Sequence, residues 1–207
     1  MRDAAAMQPL FDTPPIALAP NVWLLRGWVN SAPVLQDIEA IAQRAPFRHM
    51  QVPGGQSMSV AMTNCGDLGW ITDATGYRYS GIDPLTQRQW PALPKSWETL
   101  ANHAAASAGW SSFAPDACLI NRYAVGARMG LHQDKNERDY SQPIVSVSIG
   151  ASCSFQVGGL GRSDAVKSTT LHDGDVVVWG GDARLVFHGV RPLKAGIRYN
   201  LTLRKAG

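Results

Sequence analysis

The chain has 207 residues, of which 45% are hydrophobic and 17% charged, and a net charge of +3. That is one domain's length with enough apolar material for a core, which excludes an intrinsically disordered chain. No apolar run is long enough to span a bilayer or serve as a signal peptide, and the small positive excess permits a polyanionic partner without demanding one.

Residues 1–20 are rich in Pro and Ala and are expected to be irregular. Val34, Leu35, Ile38, Ile41 and Ala42 then recur at helical spacing, with Ser31 as the expected N-cap. Residues 53–93 carry many turn signals, among them Pro53-Gly54-Gly55 and Asp83-Pro84, and read as a long decorated hairpin or loop region. A second helix is expected near 96–108, where Trp97, Leu100, Ala101, Ala104, Ala105 and Ala108 share a face and Gly109 can end it.

After Pro115 the pattern changes to short strands, expected at 117–123, 144–149, 154–157, 176–179, 185–187 and 199–203. The stretch 144–149 alternates apolar residues with serine, the period of a half-buried strand. Short strands at this spacing, divided by turns such as Asp173-Gly174, argue for a sandwich or jelly roll. The cysteines Cys65, Cys118 and Cys153 form no C-x-x-C pair and are expected to be buried reduced thiols of a cytoplasmic protein.

His132-Gln133-Asp134 can point one imidazole and one carboxylate to the same face if extended. His188 could add a third ligand. Two histidines and one carboxylate on one face of a metal leave open positions, which suits non-haem Fe(II). His49, His103 and His172 have no carboxylate at matching spacing and read as structural or solvent-facing.

In the C-terminal run, Arg198, Asn200, Thr202 and Arg204 alternate and would line one strand face. Arginines pointing into a jelly roll are costly without anionic partners, and a dicarboxylic acid fits, because each guanidinium can grip one carboxylate. Asn121 and Tyr123 share a strand face and could add hydrogen bonds. A metal together with a dicarboxylate suggests a 2-oxoglutarate oxygenase.

These residues, with the stretches 58–66, 115–123, 131–135, 174–181 and 198–202, resemble the AlkB family of oxidative nucleic-acid dealkylases, and the likeness runs from about residue 45 to the C-terminus. The resemblance implies an α+β, mainly β fold: a double-stranded β-helix (jelly roll) with N-terminal helices and a nucleotide-recognition lid. The whole chain would be one dioxygenase domain, with the lid at about 45–93 and the catalytic core at about 115–207. It implies that His132, Asp134 and His188 bind Fe(II). Asn121, Tyr123 and Arg198 would hold the distal carboxylate of 2-oxoglutarate, with Asn200 and Arg204 at the end that chelates iron and Arg122 also among the cosubstrate-binding residues. O2 would be consumed, and ascorbate would serve as reductant in vitro. Trp70 would stack on the base, and Tyr77, Arg78, Tyr79 and Arg162 would contact the nucleic acid. Where close relatives carry an aspartate beside the base, this chain has Asn136, which can accept a hydrogen bond but lacks the charge that favours a cationic base. The stretch 194–198 is also shorter than in the best-known bacterial member.

The implied activity is dealkylation of bases of the 1-methyladenine and 3-methylcytosine type. The partner would be alkylated DNA, single-stranded or with the base flipped out, and RNA stays open. The protein would be a cytoplasmic monomer with no membrane partner. Other readings stand beside it: an oxygenase acting on a small molecule or protein, a cupin-like metal-binding module without catalysis, and a damage-binding protein without turnover. The first needs no nucleotide lid, and the second leaves the two arginines unexplained.

Overall fold

The computed structural model of the protein describes residues 14–207. Of the stretch expected to be irregular, residues 1–13 lie outside the described residues, and the remainder corrects the expectation. Here β1 (Ile16–Ala19) and β2 (Val22–Leu25) form a hairpin, because Val22, Leu24 and Leu25 are fully buried and need a sheet to pack into. There follow α1 (Ser31–Arg44), β3 (Arg48–Gln51), β4 (Ser57–Gly66), β5 (Gly69–Asp73), β6 (Gly76–Ser80), β7 (Ile82–Asp83), β8 (Arg88–Gln89) and α2 (Lys95–Ser107). The C-terminal half holds β9 (Ala117–Tyr123), β10 (Met129–His132), β11 (Ile144–Gly150), β12 (Cys153–Val157), β13 (Lys167–Leu171), β14 (Val176–Trp179), β15 (His188–Val190) and β16 (Arg198–Arg204).

Eight strands make a major sheet in the order β1-β2-β14-β11-β16-β9-β4-β3, and four make a minor sheet in the order β10-β15-β12-β13, every pairing antiparallel. The two sheets face each other across one apolar layer that includes Leu24, Leu119, Val177 and Trp179 from the first and Phe155, Val157 and Val190 from the second. Both helices pack on the outer face of the major sheet, over Val145, Val147, Val176, Val178, Leu201 and Leu203. This is the expected jelly roll. It also corrects the reading of β11 as half-buried: Ile144 through Ile149 are all buried, because the helices cover one face and the sandwich interior the other.

Three local expectations change. The N-cap of α1 is Asn30, whose Oδ1 accepts from the Ala32 N–H at 3.2 Å, while the Ser31 hydroxyl donates to Asp173 at 2.5 Å. Residues 185–187 form no strand, because a 3-10 turn at Gly181–Ala183 captures the Val186 N–H, and the Phe187 N–H goes to the carbonyl of Gly159. The segment around 45–93 is not all lid: β4 pairs with β9 in the major sheet, and β3 extends that sheet by pairing with β4. Only the β5–β6 and β7–β8 hairpins stand apart from the two large sheets.

Candidate active site

Strand pairing brings the candidate metal ligands together. His132 ends β10 and lies directly opposite His188, the first residue of β15. Asp134 lies two residues beyond the end of β10. Ligand atoms of the three residues all lie within 4.8 Å of one another. The Nε2 atoms of His132 and His188 each lie 3.6 Å from a different oxygen of Asp134. The other ring nitrogens are occupied, His132 Nδ1 at 2.8 Å from the Gly130 carbonyl and His188 Nδ1 at 3.1 Å from that of Val186. A carbonyl only accepts, so Nδ1 must carry the proton and each Nε2 lone pair faces the shared point. The intervening Gln133 turns away, donating to the Leu185 carbonyl at 2.6 Å.

The electrostatics favour ligand-ready protonation states. Burial, reinforced by the nearby His132, pushes the His188 imidazole down to about 4. Burial opposes charge on Asp134, but Arg204 and the two histidines outweigh it and hold the carboxyl below its usual range. Arg204 Nη2 donates to Asp134 Oδ2 at 2.8 Å.

A cavity of about 480 Å³ opens beside the triad between the two sheets, a size suited to a small-molecule ligand. Its floor is polar. Arg198, Asn200, Thr202 and Arg204 of β16 face it along with Asn121 and Tyr123 of β9, as strand alternation requires. Arg198 is 1% exposed, with one hydrogen bond, Nη2 to Ser148 Oγ at 3.0 Å; its Nε and Nη1 are buried without a partner, as is Asn121 Oδ1. An uncompensated buried guanidinium is expensive, so these groups form a cradle for an anion with two or more acceptor oxygens. Burial raises the Tyr123 hydroxyl to about 12 even with Arg198 beside it, so it stays protonated and can donate.

At the mouth, Trp70 is stacked with Tyr77, ring centroids 5.7 Å apart, and its Nε1–H donates to Asn136 Oδ1 at 3.1 Å. Arg162 and Lys135 line the same opening.

Three expected site residues lie elsewhere. Arg122 points to the opposite side of β9 from Asn121 and Tyr123, and is exposed. Arg78 is bound to Asp73 and Thr75 within its own hairpin. Tyr79 does not line the cavity; its hydroxyl donates to Glu137 at 2.5 Å and accepts from Arg204 Nη1 at 3.1 Å. Sequence reasoning missed Glu137 and Arg184, a buried pair at 3.0 Å, and the β11 serines that hold Asn200 and Arg198. The Ser146/Ser148 alternation was the available signal for the serines. Nothing local marked Glu137, whose partners are 47 to 67 residues away in sequence.

The match to known proteins is broad. The family model of the 2OG-Fe(II) oxygenase superfamily matches residues 21–204. The chain is 54% identical over 199 residues to the alpha-ketoglutarate-dependent dioxygenase AlkB of Escherichia coli, covering 92% of each. It is 40% identical to the AlkB homolog of Caulobacter vibrioides, covering 93% of this chain and 90% of that one. Among solved structures, OsALKBH1 superposes with a TM-score of 0.81 at 25% identity, covering 93% of this chain and all of the other.

Proposed function

Because this chain belongs to the 2OG-Fe(II) oxygenase superfamily and, within it, to the AlkB dioxygenases, we propose that it oxidatively removes alkyl groups from N-alkylated bases, of the 1-methyladenine and 3-methylcytosine type, in direct reversal of DNA damage. It is an Fe(II)- and 2-oxoglutarate-dependent dioxygenase. The observation that carries the assignment of its cosubstrate residues is Arg198, a fully buried cation with two unpartnered nitrogens beside a His-Asp-His cluster.

His132, Asp134 and His188 would hold the iron, whose chemistry is the activation of dioxygen. Arg198, Asn121 and Tyr123 would bind the distal carboxylate of 2-oxoglutarate. Asn200 and Arg204 would flank its other end, with Arg204 also fixing Asp134. For a methyl adduct, methylated base, O2 and 2-oxoglutarate become free base, formaldehyde, succinate and CO2. One oxygen atom enters succinate and the other the methyl carbon. The hydroxymethyl group then leaves as formaldehyde: the C–N electron pair stays on the ring nitrogen, which discharges the cationic base, and the hydroxyl proton is released to solvent.

The alkylated edge is hidden in a duplex, so the base must be single-stranded or flipped out. Trp70 and Tyr77 offer the aromatic surface at the mouth, where stacking contributes ~1–3 kcal/mol per base. Arg162 and Lys135 supply charge for the backbone. The same features accept RNA. No helix among the described residues is long and apolar enough to cross a membrane; we place the enzyme in the cytoplasm as a monomer.

The test is mass spectrometry of a single-stranded DNA oligonucleotide carrying one 3-methylcytosine, incubated with Fe(II), 2-oxoglutarate, ascorbate and air. We expect loss of one methylene's mass, dependent on 2-oxoglutarate and absent with His132→Ala. Succinate formed without any change in the oligonucleotide would overturn 3-methylcytosine in DNA as the substrate while leaving the oxygenase.

A further inference from the structure

We infer that Asn136 presents hydrogen-bond donors, not an acceptor, to the base, and so biases the enzyme toward neutral alkylated bases with a ring carbonyl next to the alkylated nitrogen; this rests on the base-dealkylation reading above. Asn136 lines the mouth of the cavity on the side of Trp70 and Tyr77. An asparagine amide can turn either its oxygen or its NH2 toward a ligand, and which it offers is set by its other partners. Here the partner is the Trp70 Nε1–H, which only donates, so the contact at 3.1 Å must be made by Oδ1. Both Nδ2 hydrogens are left for whatever enters beside it.

Trp70 cannot easily release this bond. Its backbone is clamped on both sides by the Asn64 side chain, which accepts from the Trp70 N–H and donates to its carbonyl, each at 3.0 Å, and its ring is stacked with Tyr77. The local charge points the same way. Among the described residues the only carboxylate lining the cavity is Asp134, neutralised by Arg204, whereas Lys135 and Arg162 are cations at the mouth. A methylated base that is itself a cation and displays an amino group meets donors and positive charge. A neutral base displaying a carbonyl meets a complementary donor.

The pair that isolates this effect is 3-methylthymine against 3-methylcytosine, alkylated at the same ring atom and differing at C4 as carbonyl against amino group. Each is placed in the same single-stranded oligonucleotide, and kcat/KM is measured for both with the wild type, Asn136→Asp and Trp70→Phe. Asn136→Asp should lower the thymine-to-cytosine ratio at least tenfold, about 1.4 kcal/mol of discrimination. Trp70→Phe, which keeps an aromatic face but frees the amide to rotate, should lower the ratio as well. A ratio unchanged in either variant, with both bases repaired by the wild type, overturns the inference. If the wild type repairs neither base, dealkylation itself fails.

Discussion

Glu137 shows how much of the site depends on residues that never meet substrate. Its carboxylate, 1% exposed, lies 3.0 Å from Arg184 and 3.4 Å from Arg204, and also accepts from Tyr79. Arg184 in turn donates to the backbone carbonyl of Asp134 at 2.8 Å. Removing the charge leaves two buried guanidiniums short of a counter-ion, so Glu137→Gln should destabilise the fold by about 3–5 kcal/mol, read from the urea midpoint. A loss under about 1 kcal/mol would mean that Asp134 alone balances both cations. At this scale the sequence was legible where strand alternation could be applied. Arg198, Asn200 and Arg204 share a face because they are an even number of residues apart. Arg122 and Arg78 sit next to residues that line the cavity, and a strand sends such immediate neighbours to its other face. Tyr79 shares Tyr77's face but lies deeper, a difference that periodicity does not carry.

Among the elements, the β10–β15 pair sets the metal geometry. Gly189 lies between His188 and Val190, and an added Cβ would come within 2.8 Å of the Met129 carbonyl and 3.2 Å of Gly130. Backbone atoms cannot swing aside, so Gly189→Ala should push β10 away and separate His132 from His188. We expect affinity for Mn(II), a redox-stable stand-in for iron, to fall at least tenfold in calorimetric titration, with the far-UV spectrum unchanged. Unaltered affinity would show that the ligands hold their positions independently of this pair. Both helices were legible from periodicity, and so were the strands with continuous apolar runs. Strands β10 and β13 were not, because Met129–His132 and Lys167–Leu171 carry little apolar pattern and owe their pairing to neighbours. The first hairpin was hidden by flanking prolines, though its residues fill the core beside β14.

For the whole molecule, the site joins two layers. His132 and His188 belong to the minor sheet, while Arg198 and Arg204 belong to the major one. Metal and 2-oxoglutarate bound together would therefore tie the sheets to each other, and each should stabilise the fold by about 2.7 kcal/mol when present at a hundred times its Kd. In thermal denaturation, Mn(II) should raise the midpoint and 2-oxoglutarate should raise it further. Arg198→Met should abolish the second increment and keep the first. Loss of both would place Arg198 in the metal site itself. The jelly roll was readable because turn spacing and alternation agree along the C-terminal half. The packing of one sheet on the other was not, since it depends on contacts between residues far apart in sequence. That separation has a consequence for safety. Oxygen chemistry at iron damages whatever lies near it, and here the three ligands are spread over 56 residues and meet only when β15 has paired with β10. A nascent or partly melted chain has no place to arm the metal, so competence to oxidise is gained and lost with the native state.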